Sequence, residues 1–248
     1  MKKALWIAAI LLSISITPAH AQAGSDNPDQ PLVLMFVLAG LSLAPFILIM
    51  ITSFVKISVV LSILRSAMGT QQIPPTQVIT GLSFILTIYI MAPVGIEIKH
   101  QTQDLIEQRT GKSIMSSANA DVILTAAKRA TEPVRQFLLK HAHAKERALF
   151  LDLAKKLRKP EDRVDLTDKD LIVLVPSFVI SELKEAFEIG FILFVPFIII
   201  DMVVSNILLA MGMFMLSPVT VSLPFKLLLF ILVDGWYLLA RGLVLGYL

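Results

Sequence analysis

The chain of 248 residues contains no cysteine, which excludes a disulfide framework and any thiolate nucleophile or ligand. Charge is also scarce. Only 17% of residues are Asp, Glu, Lys or Arg, against about a quarter in soluble domains, so the chain is expected to be an integral membrane protein. The net charge of +3 is small, and the basic residues are not interleaved with aromatics. A groove for nucleic acid would need both, so no such partner is expected. There are four histidines, and two of them, His141 and His143, lie two positions apart. On a helix that spacing points them to different sides, which favours a solvated pair over a chelate. Glu182, Glu185 and Glu188 could line one helix face, but without a histidine partner they suit a polar face better than a metal site. No glycine-rich phosphate loop and no nucleophile–base pair is visible, so no catalytic residue, cofactor or metal is expected.

What the chain does have is apolar length: 56% hydrophobic residues and a mean hydropathy of +0.77. Met1 to Ala21 has the form of a secretory signal, with Lys2 and Lys3, an apolar run, and Ala19-His-Ala21 as a cleavage site after Ala21. Cleavage is favoured over an uncleaved first helix, because the run is short and a polar stretch follows. Residues 22–98 form a first hydrophobic helical hairpin. Within it, Pro31 to Leu64 is too long for a single straight span; it is either a kinked span or two helices broken near Pro45. Val78 to Ile98 supplies the next span.

Residues 99–170 are expected to be an extramembrane, periplasmic helical insertion, with fifteen Lys and Arg against eleven Asp and Glu. The positive-inside rule is weak for loops beyond about 60 residues, so the signal and the two spans decide its side. Residues 171–248 form a second hydrophobic helical hairpin. The charged stretch Ser181 to Glu188 lies between apolar runs there, as either an interfacial helix or one buried against charged partners. Between the runs sits Met211-Gly-Met-Phe-Met-Leu-Ser-Pro218. Gly212 weakens a helix and Pro218 biases Ser217 away from the α region. Met211, Met213 and Met215 recur every second residue, which on extended backbone places them on one face. The stretch is therefore expected to be an extended, Met-lined elbow. Irregular backbone at membrane depth survives only inside protein or along a cavity, so an assembly with an internal passage is implied.

Five charges fall within apolar runs: Lys56, Asp201, Lys226, Asp234 and Arg241. Each costs roughly 2.5–3.5 kcal/mol in lipid on insertion scales, so such groups face a protein interior and pair. Three of the five are basic, which favours bridges between subunits over a proton or ion relay. Lys226 with Glu182 is the preferred pair; Asp201 or Asp234 with Lys56 or Arg241 is the looser expectation.

Several segments together resemble one family. They are Thr52-Ser-Phe-Val-Lys-Ile-Ser58, Leu64-Arg-Ser-Ala-Met-Gly69, Gln72-Ile-Pro-Pro75, Met91-Ala-Pro-Val94 and Ile180-Ser-Glu-Leu-Lys-Glu-Ala-Phe-Glu-Ile-Gly190. Val195-Pro-Phe-Ile-Ile-Ile-Asp201, Leu223-Pro-Phe-Lys-Leu-Leu-Leu229 and Val233-Asp-Gly-Trp236 add to them. These look like the FliP/SctR family of type III secretion export gates, over residues 32–98 and 171–248. Gln72-Ile-Pro-Pro75, Phe187-Glu-Ile-Gly190 and Ser217-Pro-Val-Thr-Val-Ser222 favour the injectisome branch over the flagellar one. The long insertion and the signal are more typical of the flagellar branch.

The resemblance implies an all-α membrane protein that assembles into a ring-like helical oligomer of about five copies. Its partners would be the T-type and S-type export-gate subunits, the other export-apparatus and basal-body ring proteins, and membrane lipid. The site would be the bacterial inner membrane with a periplasmic portion, and the cargo unfolded secretion substrates. By position, Met213, Phe214 and Met215, next to Met211, would form a pore gasket. Phe214 interrupts the usual methionine run. The family's inter-subunit charge cluster corresponds to Glu182 and Lys226. A methionine collar is apolar, so a narrow constriction dewets and blocks ions, while its flexible thioethers adapt to varied passengers. The rival expectation, from another class, is an ion or small-solute transporter that uses the intramembrane charges.

Overall fold

The computed structural model describes residues 30–70, 73–107, 117–159 and 166–248; the signal and its cleavage after Ala21 lie outside them. The chain divides into two units, Met1–Ala44 and Pro45–Leu248. The described part of the first is helical and opens α1 (Gln30–Met50). The other helices among the described residues are α2 (Phe54–Ala67), α3 (Thr76–Glu107), α4 (Ser117–His141), α5 (Ala144–Leu157), α6 (Leu171–Ala210), α7 (Pro218–Leu232) and α8 (Gly235–Leu245). Among the described residues there are no strands, so the all-α expectation holds.

The long apolar segment breaks, but not near Pro45. That proline lies inside α1, and the break comes at residues 51–53, where the two helices bend by 73°. Thr52 competes with the helix for backbone groups: its hydroxyl donates to the Ile49 carbonyl at 3.3 Å. The helix expected from Val78 to Ile98 runs on to Glu107. Its polar extension gives α4 a surface to pack on, and Arg129 bridges to Asp104 at 2.8 Å. The charged stretch Ser181–Glu188 is not a separate interfacial helix; it buries Ser181 and Glu182, the latter against Lys56 of the same chain. It is the middle of the 40-residue α6, which also runs through Pro176 and Pro196.

Among the described residues, two helices are long and apolar enough to cross a membrane, Thr76–Asp104 and Leu171–Ala210, and two bent pairs could add one crossing each. The second bent pair is α7 with α8, at 61°.

The core forms around α2. Its buried face is Ile57, Val60, Leu61, Leu64 and Ala67, a helical repeat of three and four. It packs against Ala186 and Phe197 of α6, Phe230 of α7, and Leu239 and Leu243 of α8. Helix α2 runs parallel to α6: Lys56 meets Glu182 near its start, and Ile63 meets Gly190 further along. A Cβ on Gly190 would lie 2.9 Å from Cγ2 of Ile63, so only glycine allows this approach. A second cluster joins Phe137 and Leu138 of α4 to Leu174 and Phe178 of α6 and to Tyr247. Each fully buried Leu or Phe contributes about 1.5–3 kcal/mol. This cluster seats the α4–α5 hairpin on the first half of α6.

Candidate functional site

Three places concentrate polar or unusual features: two buried ion clusters and the elbow between α6 and α7. In the first cluster, Lys56 shares the inward face of α2 with Ile57 and Val60 and is fully buried. Its ammonium lies 2.6 Å from Oε2 of Glu185 and 3.3 Å from Oε1 of Glu182. Spacing of i, i+3 on α6 brings both carboxylates to one side. The Tyr247 hydroxyl donates to Glu182, and Lys56 stands 4.1 Å above the Tyr247 ring, a cation–π contact. His143, the residue before α5, contacts Glu185 at 2.8 Å through Nε2. Its backbone N–H donates to the Ser181 hydroxyl at 2.9 Å. One ammonium thus meets two carboxylates at the junction of α2, α6, the insertion and the α8 tail.

The histidines are not a solvated pair. His141 lies between Phe137, 4.8 Å away with the rings tilted, and Tyr247, 5.0 Å away and edge-on. Burial pushes the pKa of its ring down to about 4, helped by the positive charges of Lys140 and Lys56 and opposed by Glu185. Glu188 is exposed and takes no part.

In the second cluster, the Lys226 ammonium on α7 lies 2.7 Å from Oδ2 of Asp201 on α6. It also donates to the Ala67 carbonyl at 3.3 Å. Ser222, one turn before Lys226, donates to Oδ1 of Asp201 at 2.5 Å. Gly69, at φ +74°, lets the turn after α2 press on this cluster: a Cβ there would lie 3.5 Å from the Lys226 nitrogen.

Within the chain Lys226 pairs with Asp201 and Lys56 with Glu182, whereas the pairing of Lys226 with Glu182 is expected between subunits. The reason is the continuity of α6. Residues 182 and 201 are nineteen positions apart on one helix, about 28 Å along its axis, so a single lysine cannot reach both. Asp201 likewise meets Lys226 and not Lys56 or Arg241.

The elbow is non-helical, as expected, but it is turned and not extended. Met211 caps α6 in the αR region, and Gly212 follows at φ +74°. The Gly212 N–H donates to the Leu209 carbonyl at 3.0 Å and the Met213 N–H to the Leu208 carbonyl at 2.9 Å. This pair of bonds is a Schellman C-cap, which requires the left-handed residue that glycine supplies. Pro218 then opens α7 at its first turn, where a missing N–H costs nothing. The turn separates the side chains that an extended strand would align. Met211 and Met213 border an apolar groove with Leu208, Leu216 and Phe225. Phe214 and Met215 project outward, 76% and 98% exposed.

Asp234 and Arg241 stand apart from both clusters. Both are exposed, and among the described residues neither has an ion-pair partner. Asp234 takes the left-handed conformation, φ 52° and ψ 52°, at the N-cap of α8, yet its carboxylate caps no N–H there.

Sequence reasoning missed Tyr247 and Ser222, and read His143 as solvated. Ser222 carried a usable signal, four residues before Lys226 on one helix face. Tyr247 sits in an apolar tail and gave none.

The FliP family matches residues 37–243 of the chain. The Yop proteins translocation protein R of Yersinia pestis is 48% identical over 221 residues, covering 89% of this chain and 97% of that protein. The flagellar biosynthetic protein FliP of Bacillus subtilis is 45% identical over 222 residues, 90% of this chain and 94% of that one. The hypersensitivity response secretion protein HrcR of Ralstonia nicotianae is 41% identical over 214 residues, 86% and 96% of the two chains.

Proposed function

Because the chain belongs to the FliP family, we propose that it is the pore-forming core subunit of a type III secretion export gate, conducting unfolded proteins across the bacterial inner membrane. About five copies would assemble with T-type and S-type subunits inside the basal body, the α4–α5 hairpin lying on the periplasmic side. The chain itself is assigned no catalytic step; partners would supply the energy. We favour the injectisome branch on Gln72-Ile-Pro-Pro75, Phe187-Glu-Ile-Gly190 and Ser217-Pro-Val-Thr-Val-Ser222. The flagellar reading has its own support in the Bacillus subtilis relative.

The observation that carries the pore reading is the elbow. A glycine-capped turn holds Phe214 and Met215 clear of their own protomer. Side chains that contribute nothing to their own fold, at the junction of two apolar helices, suit a constriction closed by several copies. Such a collar dewets when closed and deforms around passengers when open. Replacing Met213 and Met215 by glycine should raise the ion conductance of membranes containing the assembled gate, with assembly intact. Unchanged conductance would count against a gasket at this position.

A further inference from the structure

The two helices of the hairpin are held to α6 by different means. Helix α4 is seated by apolar contact, Phe137 and Leu138 against Leu174 and Phe178. Helix α5 is not. Its one fully buried residue is a charge, Glu146, while Leu149, Leu153 and Leu157 are exposed. Its attachment is a polar joint at its first turn. Ser177, Ser181, Lys184 and Glu185 recur at helical spacing on one face of α6, and all four meet His143 or Glu146. The Ser181 hydroxyl accepts the His143 N–H at 2.9 Å, and the Ser177 hydroxyl donates to the Glu146 carbonyl at 3.3 Å. The Lys184 ammonium lies 3.8 Å from Oε1 of Glu146.

The ring of His143 stands between two carboxylates. Its Nε2 lies 2.8 Å from Oε1 of Glu185, and its Nδ1 lies 3.7 Å from Oε2 of Glu146. An ionised carboxylate only accepts, and a neutral imidazole carries a proton on one nitrogen alone. In the neutral ring, one nitrogen therefore turns a lone pair toward a negative oxygen. The imidazolium suits both sides. Oε2 of Glu146 is buried and has no hydrogen-bond partner, so the shortfall lies on an atom that burial makes costly to leave unmet. Charge balance agrees. The carboxylates Glu146, Glu182 and Glu185 meet the ammoniums of Lys56 and Lys184, and a protonated His143 supplies the third positive charge. The other groups around the joint are engaged elsewhere or solvated. Arg147 pairs with Asp168 at 2.8 Å, Tyr247 donates to Glu182, Lys140 donates to the Leu248 carbonyl at 2.9 Å, and Lys145 is exposed. His141, its pKa held down to about 4 by burial, stays neutral over the range in which histidines ordinarily change charge.

We propose that His143 is a proton-operated latch: protonation of its ring locks α5 against α6, and loss of the proton frees α5 at the joint while α4 stays seated. Only the docked arrangement places Glu185 against the ring, so docking is favoured by the proton. It strengthens as pH falls through the histidine range and weakens as pH rises. With the hairpin on the periplasmic side, as proposed above, the pH that is read is the one outside the cytoplasm. The latch itself does not depend on that placement.

The absence of cysteine allows labels at chosen places. In the full chain, Leu153→Cys on α5 and Ile172→Cys at the start of α6, both exposed positions, carry a pair of spin labels. Labelled chain is diluted with unlabelled chain, so that only distances within one copy are read. The distance distribution is followed from about pH 5 to pH 8, the span of histidine's charge change. One narrow distance is expected at the acid end, with a several-fold loss of that docked population toward the alkaline end. His143→Gln keeps a donor but cannot take the charge, and should be broad at every pH. His143→Arg is permanently charged, and should stay narrow at every pH. A native distribution that does not change over this range would overturn the latch. So would a His143→Gln variant that keeps the native response, because another group would then carry it.

Discussion

The two halves of α6 behave as if they belonged to different molecules. From Leu171 to Gly190 the helix is wrapped by α2, α4 and α5, and its charges Glu182 and Glu185 are met by Lys56, Tyr247 and His143 of the same chain. From Phe191 onward it carries exposed Phe191, Ile192, Ile199, Met202 and Val203, and ends in a turn whose tip touches little of its own protomer. Asp201 is the one charge of this second half, and it is met by Lys226. The contrast separates what holds the protomer together from what is left for neighbours. Charges that are buried and paired within the chain serve its fold, whereas the exposed apolar surface, and Asp234 and Arg241, which have no ion-pair partner among the described residues, do not.

The sharpest way to break this division is at Lys56. Lys56→Met leaves the buried Glu182 and the half-buried Glu185 close together without their cation, and breaking a buried pair in this way costs about 3–5 kcal/mol. The detergent-solubilised protomer should lose most of its thermal stability before any question of assembly arises. Adding Glu182→Gln and Glu185→Gln should recover much of it, since a neutral cluster needs no counter-ion. A variant that keeps the native melting temperature but fails to assemble would place Lys56 on the neighbour-facing side instead.

The second cluster should give a smaller loss, because Asp201 is partly exposed and keeps the Ser222 hydroxyl. Lys226→Asp puts two acids together and should destabilise the protomer by roughly 1.5–3 kcal/mol, the scale of hydrogen bonds to charged groups. Rescue should come from Asp201→Lys and not from Glu182→Lys, read as the melting temperature of each double variant. Rescue by the Glu182 change would restore the pairing expected from sequence and mean that it forms across copies.

That expectation shows where sequence reading reached its limit. The inventory of costly charges was legible, since a lysine or aspartate in an apolar run must be paired whatever the fold. So was the break at residues 211–217, because Gly212 and Pro218 act locally on the backbone. The pairing was not legible. It depends on α6 being one continuous helix through Ser181–Glu188, and neither charge density nor Pro176 and Pro196 announces continuity. The conformation of the elbow was missed for a related reason. An every-second-residue methionine pattern suggests a strand, but the Schellman bonds of Gly212 and Met213 take precedence over side-chain periodicity. Tyr247 could not be foreseen at all, because its role comes from the return of the α8 tail to Lys56.

The smallest expected effect tests whether the insertion belongs to the protomer half of the comparison. His141 sits at the seam between α4 and the α8 tail, its ring against Phe137 and Tyr247, with Lys140, Lys56 and Glu185 as the charged groups that act on it. Burial holds its folded pKa near 4, below the ordinary 6.5. Between those two values the unfolded chain binds more protons than the folded one, so stability must fall as pH falls across that window. The contribution is complete above 6.5, is lost progressively down to about 4, and changes no further below that. His141→Phe keeps a ring in the seam and removes the proton site. The melting temperature of the variant, followed downward from neutral pH, should therefore decline less steeply than that of the native chain. The carboxylates common to both proteins cancel in the difference. Equal slopes would mean that the ring is solvated in the native protein and that the α4 seam opens readily, which would move the insertion to the neighbour-facing side of the division.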